Sequence, residues 1–183
     1  MKIRAAIVDD APALGRIMVE AWLSAHQGQM PDVAWQKRVD EWTPDVSAQG
    51  WARVLVDQAV GNAQFDVLLV AEDDSGILHA LVYGTPADDG LSGATAKISA
   101  LYVAPDAAGR GIGAALLKAA ARELAEFGFA ALGVDVLTSN RPARRFYEAI
   151  GGVEIGQRTF DEEGYLLPVT VYEWSDLTAL VGE

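Results

Sequence analysis

Three glycines at alternate positions, Gly109, Gly111 and Gly113, separate an apolar run from a strongly amphipathic stretch. Glycine accepts positive φ and lets a ligand approach the backbone closely. Successive free N–H groups at a helix start, backed by the helix dipole, form a site for a pyrophosphate. The spacing is not the G-x-G-x-x-G of a dinucleotide turn, and no Walker lysine follows. A phosphate cradle of another kind and a plain strand-to-helix turn therefore both remain. Further along, Asp135 interrupts the apolar run Ala131–Leu137, where a carboxylate is rarely found without a purpose or a partner. Tyr147 shares a helical face with Ala143, Phe146 and Ile150 and so points inward, which a core aromatic would also do. Trp22, Trp35, Trp42 and Trp51 are dense near the N-terminus, with His26 and Gln29 among them. Core packing accounts for most of these indoles.

Taken together, two stretches resemble the GNAT acetyltransferases. Leu101, Val103, Pro105, Gly111 and Gly113 fit the pattern L-x-V-x-P-x-x-[RQ]-x-x-G-x-G, with Ala108 where the family carries Arg or Gln. Asn140, Ala143, Phe146, Tyr147 and Gly151 fit the second signature. The resemblance implies acetyl-CoA as cosubstrate. Its pantetheine amides would pair with the backbone of Leu101, Tyr102 and Val103. The N–H groups of Gly109, Arg110, Gly111, Ile112, Gly113 and Ala114 would hold the pyrophosphate, with Arg110 offering a cation in place of Ala108. Asn140 and Tyr147 would complete the cofactor side, and Tyr147 would protonate the leaving thiolate.

An amine must be neutral to attack a thioester, so a base is needed. Some family members place a carboxylate five residues before the asparagine, where this chain has Asp135. Desolvation would suit that residue to the role. The alternative is a structural acid paired with an arginine. A second family position for the acid, on the fourth strand, holds Lys97, with Ser99 further on. Trp22-to-Pro31 is similar to a GNAT subgroup whose first helical loop ends in G-x-x-P. In that resemblance Trp22, His26 and Gln29 are candidates for lining the acceptor pocket.

The elements that must position these groups follow from periodicity. Ile3–Val8 reads as a strand, and Leu14, Ile17, Met18, Ala21, Trp22 and Ala25 mark a helix. A weaker stripe at Trp35, Val39 and Trp42 precedes a helical segment from about Asp45 to Val60. Phe65–Glu72 and Ile77–Thr85 form a hairpin about Asp73–Gly76. A Gly/Asp-rich loop, Pro86–Ala94, leads to strand Lys97–Val103, helix Gly109–Phe127, strand Ala131–Leu137 and helix Arg141–Ile150. Val153–Phe160 and Leu167–Trp174 close the chain as a second hairpin. The order β-α-α-β-β-β-α-β-α-β-β predicts one α/β (α+β) domain over residues 1–183. The resemblance refines it to the GNAT fold, a mixed, mostly antiparallel sheet of about seven strands flanked by about four helices, splayed between strands four and five.

Bulk properties narrow the function. The chain has 183 residues, no cysteine, two histidines and a formal net charge of −12. Disulfides, thiolate metal sites and a cysteine nucleophile are excluded, and the separated histidines argue against zinc catalysis. An acidic surface disfavours nucleic acid and suits a cationic amine, or simply keeps the protein soluble. No apolar run is long enough to span a membrane, and Asp9 and Asp10 fall where a signal peptide would need apolar residues. A cytoplasmic N-acetyltransferase acting on a small-molecule or peptide amine is the expectation, and a homodimer is compatible with it. A non-catalytic acetyl-CoA-binding regulator is the alternative, motivated by Ala108 and Lys97.

Overall fold

The computed structural model describes residues 1–87, 95–162 and 164–181. From residue 88 onward, the expected Pro86–Ala94 loop lies outside the described residues. Among these residues seven strands form one sheet: β1 (Lys2–Ala5), β2 (Val67–Glu72), β3 (Leu78–Pro86), β4 (Thr95–Val103), β5 (Ala131–Leu137), β6 (Val153–Glu162) and β7 (Tyr165–Trp174). Their spatial order is β1-β2-β3-β4-β5-β7-β6, and every neighbouring pair is antiparallel except β4–β5. Three helices precede β2: α1 (Ala11–His26), α2 (Asp32–Glu41) and α3 (Pro44–Ala59). The others are α4 (Ile112–Glu126), α5 (Arg141–Ala149) and α6 (Leu177–Val181).

The described residues thus hold six α-helices where about four were expected. The weak Trp35–Trp42 stripe is a helix in its own right. Thr43 both ends it and caps α3, accepting a hydrogen bond from Val46 N at 3.3 Å with Pro44 in the first turn. The short α6 escaped notice because a single turn with Leu177 and Leu180 buried is too brief to show a period.

The strands sort residues by the period of two. In β2, Val67, Leu69 and Ala71 pack toward α4, with Leu116, Ala120 and Leu124 in the same core. Leu68 and Val70 pack the other way, with Leu14, Ile17, Trp51 and Leu55 of α1 and α3. A strand buried on both faces needs an unbroken apolar run, which is what the sequence of β2 supplies. The two helices on that second face come very close. A Cβ on Gly15 would lie 2.4 Å from Pro44 O and 2.6 Å from Ala48 N, so only glycine permits the approach.

The parallel ladder is short. It joins Thr95–Ile98 to Ala131–Val134 and then stops, although β4 continues to Val103 and β5 to Leu137. At that point the β3–β4 register skips a residue, since Tyr83 faces Ala100 while Gly84 faces Ile98. Ser99 is therefore the extra residue of a bulge, which bends β4 away from its parallel neighbour. The expected splay between strands four and five is present.

Candidate active site

Where β4 and β5 separate, a cleft of about 470 Å³ opens. Its walls are Lys97–Val103 of β4 and Val134–Leu137 of β5, so Leu101, Tyr102, Val103 and Asp135 all face the opening. Among the described residues, Leu101–Val103 pair with β3 on one side only, and beyond Ile98 no strand pairs with their other edge. Unpaired backbone donors and acceptors at an edge are a template for a ligand that carries amides.

The glycine turn adjoins this wall. Gly109 and Gly111 take φ of +77° and +78°, and the helix begins only at Ile112, three residues later than expected. Glycine supplies the left-handed conformation at both positions. Gly111 has no side chain to cap α4, so the N–H groups of the first turn lack an intrahelical acceptor. A Cβ added to Gly109 or Gly111 would meet no atom within 4 Å, which leaves open space over the turn. A Cβ on Gly113 would sit 3.6 Å from Val103 Cγ2 and 3.6 Å from Phe146 Cζ, linking turn, cleft wall and α5. The residues from Gly109 to Ala114 thus sit beside the cleft rather than in its wall. Arg110 donates through Nη2 to Asp106 O at 2.8 Å.

α5 carries Tyr147 into the cleft. Asn140 is buried and caps the helix, accepting from Ala143 N at 3.1 Å. Arg144 donates to the Tyr172 hydroxyl at 3.1 Å, and that hydroxyl donates to Glu148 at 2.6 Å. Trp174 donates to Ile150 O at 3.0 Å. These bonds fix the helix to β7. Tyr147 packs edge-on against Phe146 and Trp174, with ring centroids 5.1 and 6.0 Å away. Burial pushes its phenol well above the usual tyrosine range, with the neighbouring Tyr102 adding to the effect. The proton therefore stays on the oxygen at neutral pH. Burial also pushes Tyr102 up, to about 12.

The opposite end of the cleft is built by α1, the loop after it and the β6–β7 hairpin. Trp22, His26 and Met30 line it, with Phe160, Glu162 and Leu167 across from them. His26 stacks on Trp22 at 4.5 Å, and Trp35 and Trp42 pack on the same indole at 6.0 and 5.4 Å. The Arg38 guanidinium lies 5.4 Å from the Trp22 ring and 5.3 Å from Trp42, and forms an ion pair with Glu162. Gln29 is outside the wall. It accepts from Ser139 Oγ at 3.0 Å and so ties the α1–α2 loop to the end of β5.

Asp135 has a partner. Arg158 of β6 reaches over β7 to donate to its Oδ2 from Nε at 3.0 Å and also from Nη2. This is the arginine-paired arrangement that the sequence left open. Sequence reasoning missed Arg158, Arg38, Glu162 and the apolar residues of the hairpin. The alternation of β7 marks Leu167 and Val169 as one face, but nothing in the sequence says which cleft that face borders.

The cleft passes through the sheet. Tyr147 packs in the core on the α4 side, whereas Leu137 and Leu167 pack with Met30 and Ala34 on the α2 side. A sheet pried open at a parallel pair, with an uncapped glycine-led helix at the opening, is the architecture of CoA-dependent acyltransferases. Residues 34–152 match the acetyltransferase (GNAT) family, and the chain belongs to it.

Relatives span nearly the whole chain. The uncharacterized N-acetyltransferase YuaI of Bacillus subtilis (strain 168) is 23% identical, covering 97% of this chain and 95% of its own. The PaiA N-acetyltransferase of Thermoplasma acidophilum, solved in complex with coenzyme A, superimposes with a TM-score of 0.69 at 18% identity, covering 94% of this chain and 98% of that one. YncA of Salmonella typhimurium, a putative acetyltransferase solved with acetyl-CoA, gives 0.70 at 21% identity over 97% and 94% of the two chains. These two superpositions establish the fold.

Proposed function

We propose that the protein transfers the acetyl group of acetyl-CoA to a primary amine by direct attack, both substrates being bound together. The observation that supports this most is the cleft through the sheet, with an uncapped, glycine-led helix start beside it and an aromatic pocket at one end. The parts fit acetyl-CoA in order. The first-turn N–H groups of α4, under open space and at the positive end of the helix dipole, suit a pyrophosphate. The edge of Leu101–Val103 suits the pantetheine amides. Tyr147, held neutral by burial, is the donor that protonates the departing thiolate.

The acceptor amine enters between Trp22, Phe160 and Leu167. Its proton needs an acceptor at this end, where Asp135, Glu162 and His26 carry lone pairs, Glu162 being paired with Arg38. The aromatic lining favours an amine on an apolar or flat body, and the net charge of −12 draws cations toward the site. The test is CoA release from acetyl-CoA with a panel of n-butylamine, phenethylamine, spermidine and an alanyl peptide, beside thermal shift with acetyl-CoA alone. Turnover with any of them supports the transferase. Thermal stabilisation without turnover selects the non-catalytic acetyl-CoA-binding regulator instead.

A further inference from the structure

The geometry points to His26 Nε2 as the base that takes the proton from the attacking amine, an assignment that rests on the acetyl-transfer reading above. His26 ends α1 and is 9% exposed, and it forms part of the cleft wall beside Trp22. Its Nδ1 lies 2.8 Å from Trp22 O. A carbonyl oxygen only accepts, so Nδ1 carries the hydrogen and Nε2 keeps its lone pair. Nε2 has no hydrogen-bond partner among the described residues, nor is it a sealed polar atom. In a buried side chain that lines a cleft, such a nitrogen opens on the cleft.

The ring cannot turn away easily. It stacks on Trp22, and that indole is itself packed by Trp35, Trp42 and Arg38. One face of the site thus presents a fixed tautomer, the arrangement that general-base histidines need. Burial lowers the His26 pKa, with the Trp22 carbonyl opposing, so the neutral form prevails near pH 7. Asp135, by contrast, has its Oδ2 engaged by two Arg158 donors.

In the step itself, the amine nitrogen forms a bond to the thioester carbonyl carbon and the C–S bond breaks. One N–H proton passes to His26 Nε2, and the Tyr147 hydroxyl proton passes to the sulfur. His26 then releases its proton to water and Tyr147 takes one up, so acid and base work from opposite faces of the sheet.

Two measurements test this. The first is long-range ¹⁵N–¹H NMR of the imidazoles at pH 7.5, assigned with His79→Gln, since the chain has two histidines. His26 should show a protonated Nδ1 and a bare Nε2; an Nε2–H tautomer or a histidinium overturns the proposal. The second compares the parent with His26→Gln on the amine panel. kcat should fall by roughly 10²–10⁴ with the acetyl-CoA thermal shift retained. The acidic limb of kcat/KM, below the ordinary imidazole value, should disappear. Lys97, Tyr102, Asp135, Tyr147 and Glu162 line the same cleft and Arg38 backs Trp22, so only the difference between the two profiles is diagnostic. A variant with parental kcat and profile overturns the role of His26 while the transferase stands. A parent that releases no CoA with any amine overturns both.

Discussion

Asp135 and Tyr147 are each a polar group in an apolar setting, and their surroundings separate them. Tyr147 has no hydrogen-bond partner among the described residues and a phenol kept neutral by burial, whereas Asp135 faces a guanidinium. Tyr147→Phe preserves the ring contacts and removes only the proton. Turnover is expected to drop by about 10²–10⁴ while thermal stabilisation by acetyl-CoA is unchanged. A variant with parental turnover would return Tyr147 to the core aromatics. Asp135→Asn should leave the pH–rate profile as in the parent and lower stability by roughly 1 kcal/mol, since its ion pair is partly solvated. Loss of the acidic limb in that variant would make Asp135 the base. The inward aim of Tyr147 was legible because i, i+3 and i+4 spacing fixes a helical face. Arg158 was not, because its reach to Asp135 depends on the register of three strands, which no local pattern encodes.

Between residues and fold stands the geometry of helix ends. α4 was expected from Gly109, but two left-handed glycines delay it to Ile112, and that delay turns the first-turn N–H groups toward open space. Gly113→Glu, at a position without positive φ, should fold and yet lose the acetyl-CoA thermal shift, because its carboxylate would compete with the pyrophosphate. An undiminished shift would remove the cradle from this turn. The anchoring of α5 is as demanding. A Cβ on Gly152 would come within 2.9 Å of both Trp174 Cζ2 and Tyr147 O. Gly152→Ala should therefore cost about 1–3 kcal/mol and lower kcat by displacing Tyr147, seen as a reduced Tm and slower CoA release. Strand periodicity disclosed the sheet's members, but the bulge at Ser99 left no mark in the sequence. It shows only in the pairing of β3 with β4, beside Gly84, where an added Cβ would lie 3.0 Å from Leu124 Cδ1.

For the molecule as a whole, the tyrosines set the alkaline limit. Tyr83, Tyr102 and Tyr147 all have phenols raised by burial, with Asp66 adding to the effect at Tyr83. A group whose folded pKa exceeds its unfolded value of about 10 contributes stability fully below that value and loses it as pH rises through the folded one. Tm should hold to about pH 9 and then decline, less steeply in Tyr102→Phe, as followed by circular dichroism. An identical decline in that variant would exclude Tyr102 from the effect.

The four register pairs between β4 and β5 carry a mechanical consequence. They join a four-stranded plate to a three-stranded one along one end only. The core around α4 clamps the plates together, since Val67, Val82 and Ile98 of one and Leu132, Tyr172 and Trp174 of the other belong to a single cluster. The assembly works as a peg: a fulcrum at Thr95–Ile98, a spring in the α4 core, and jaws at Leu101–Val103 and Asp135–Leu137. Prying at the jaws would shear the fulcrum pairs one after another, whereas a pull along the strands would load all four at once, so the protein should yield at lower force in the first direction than in the second.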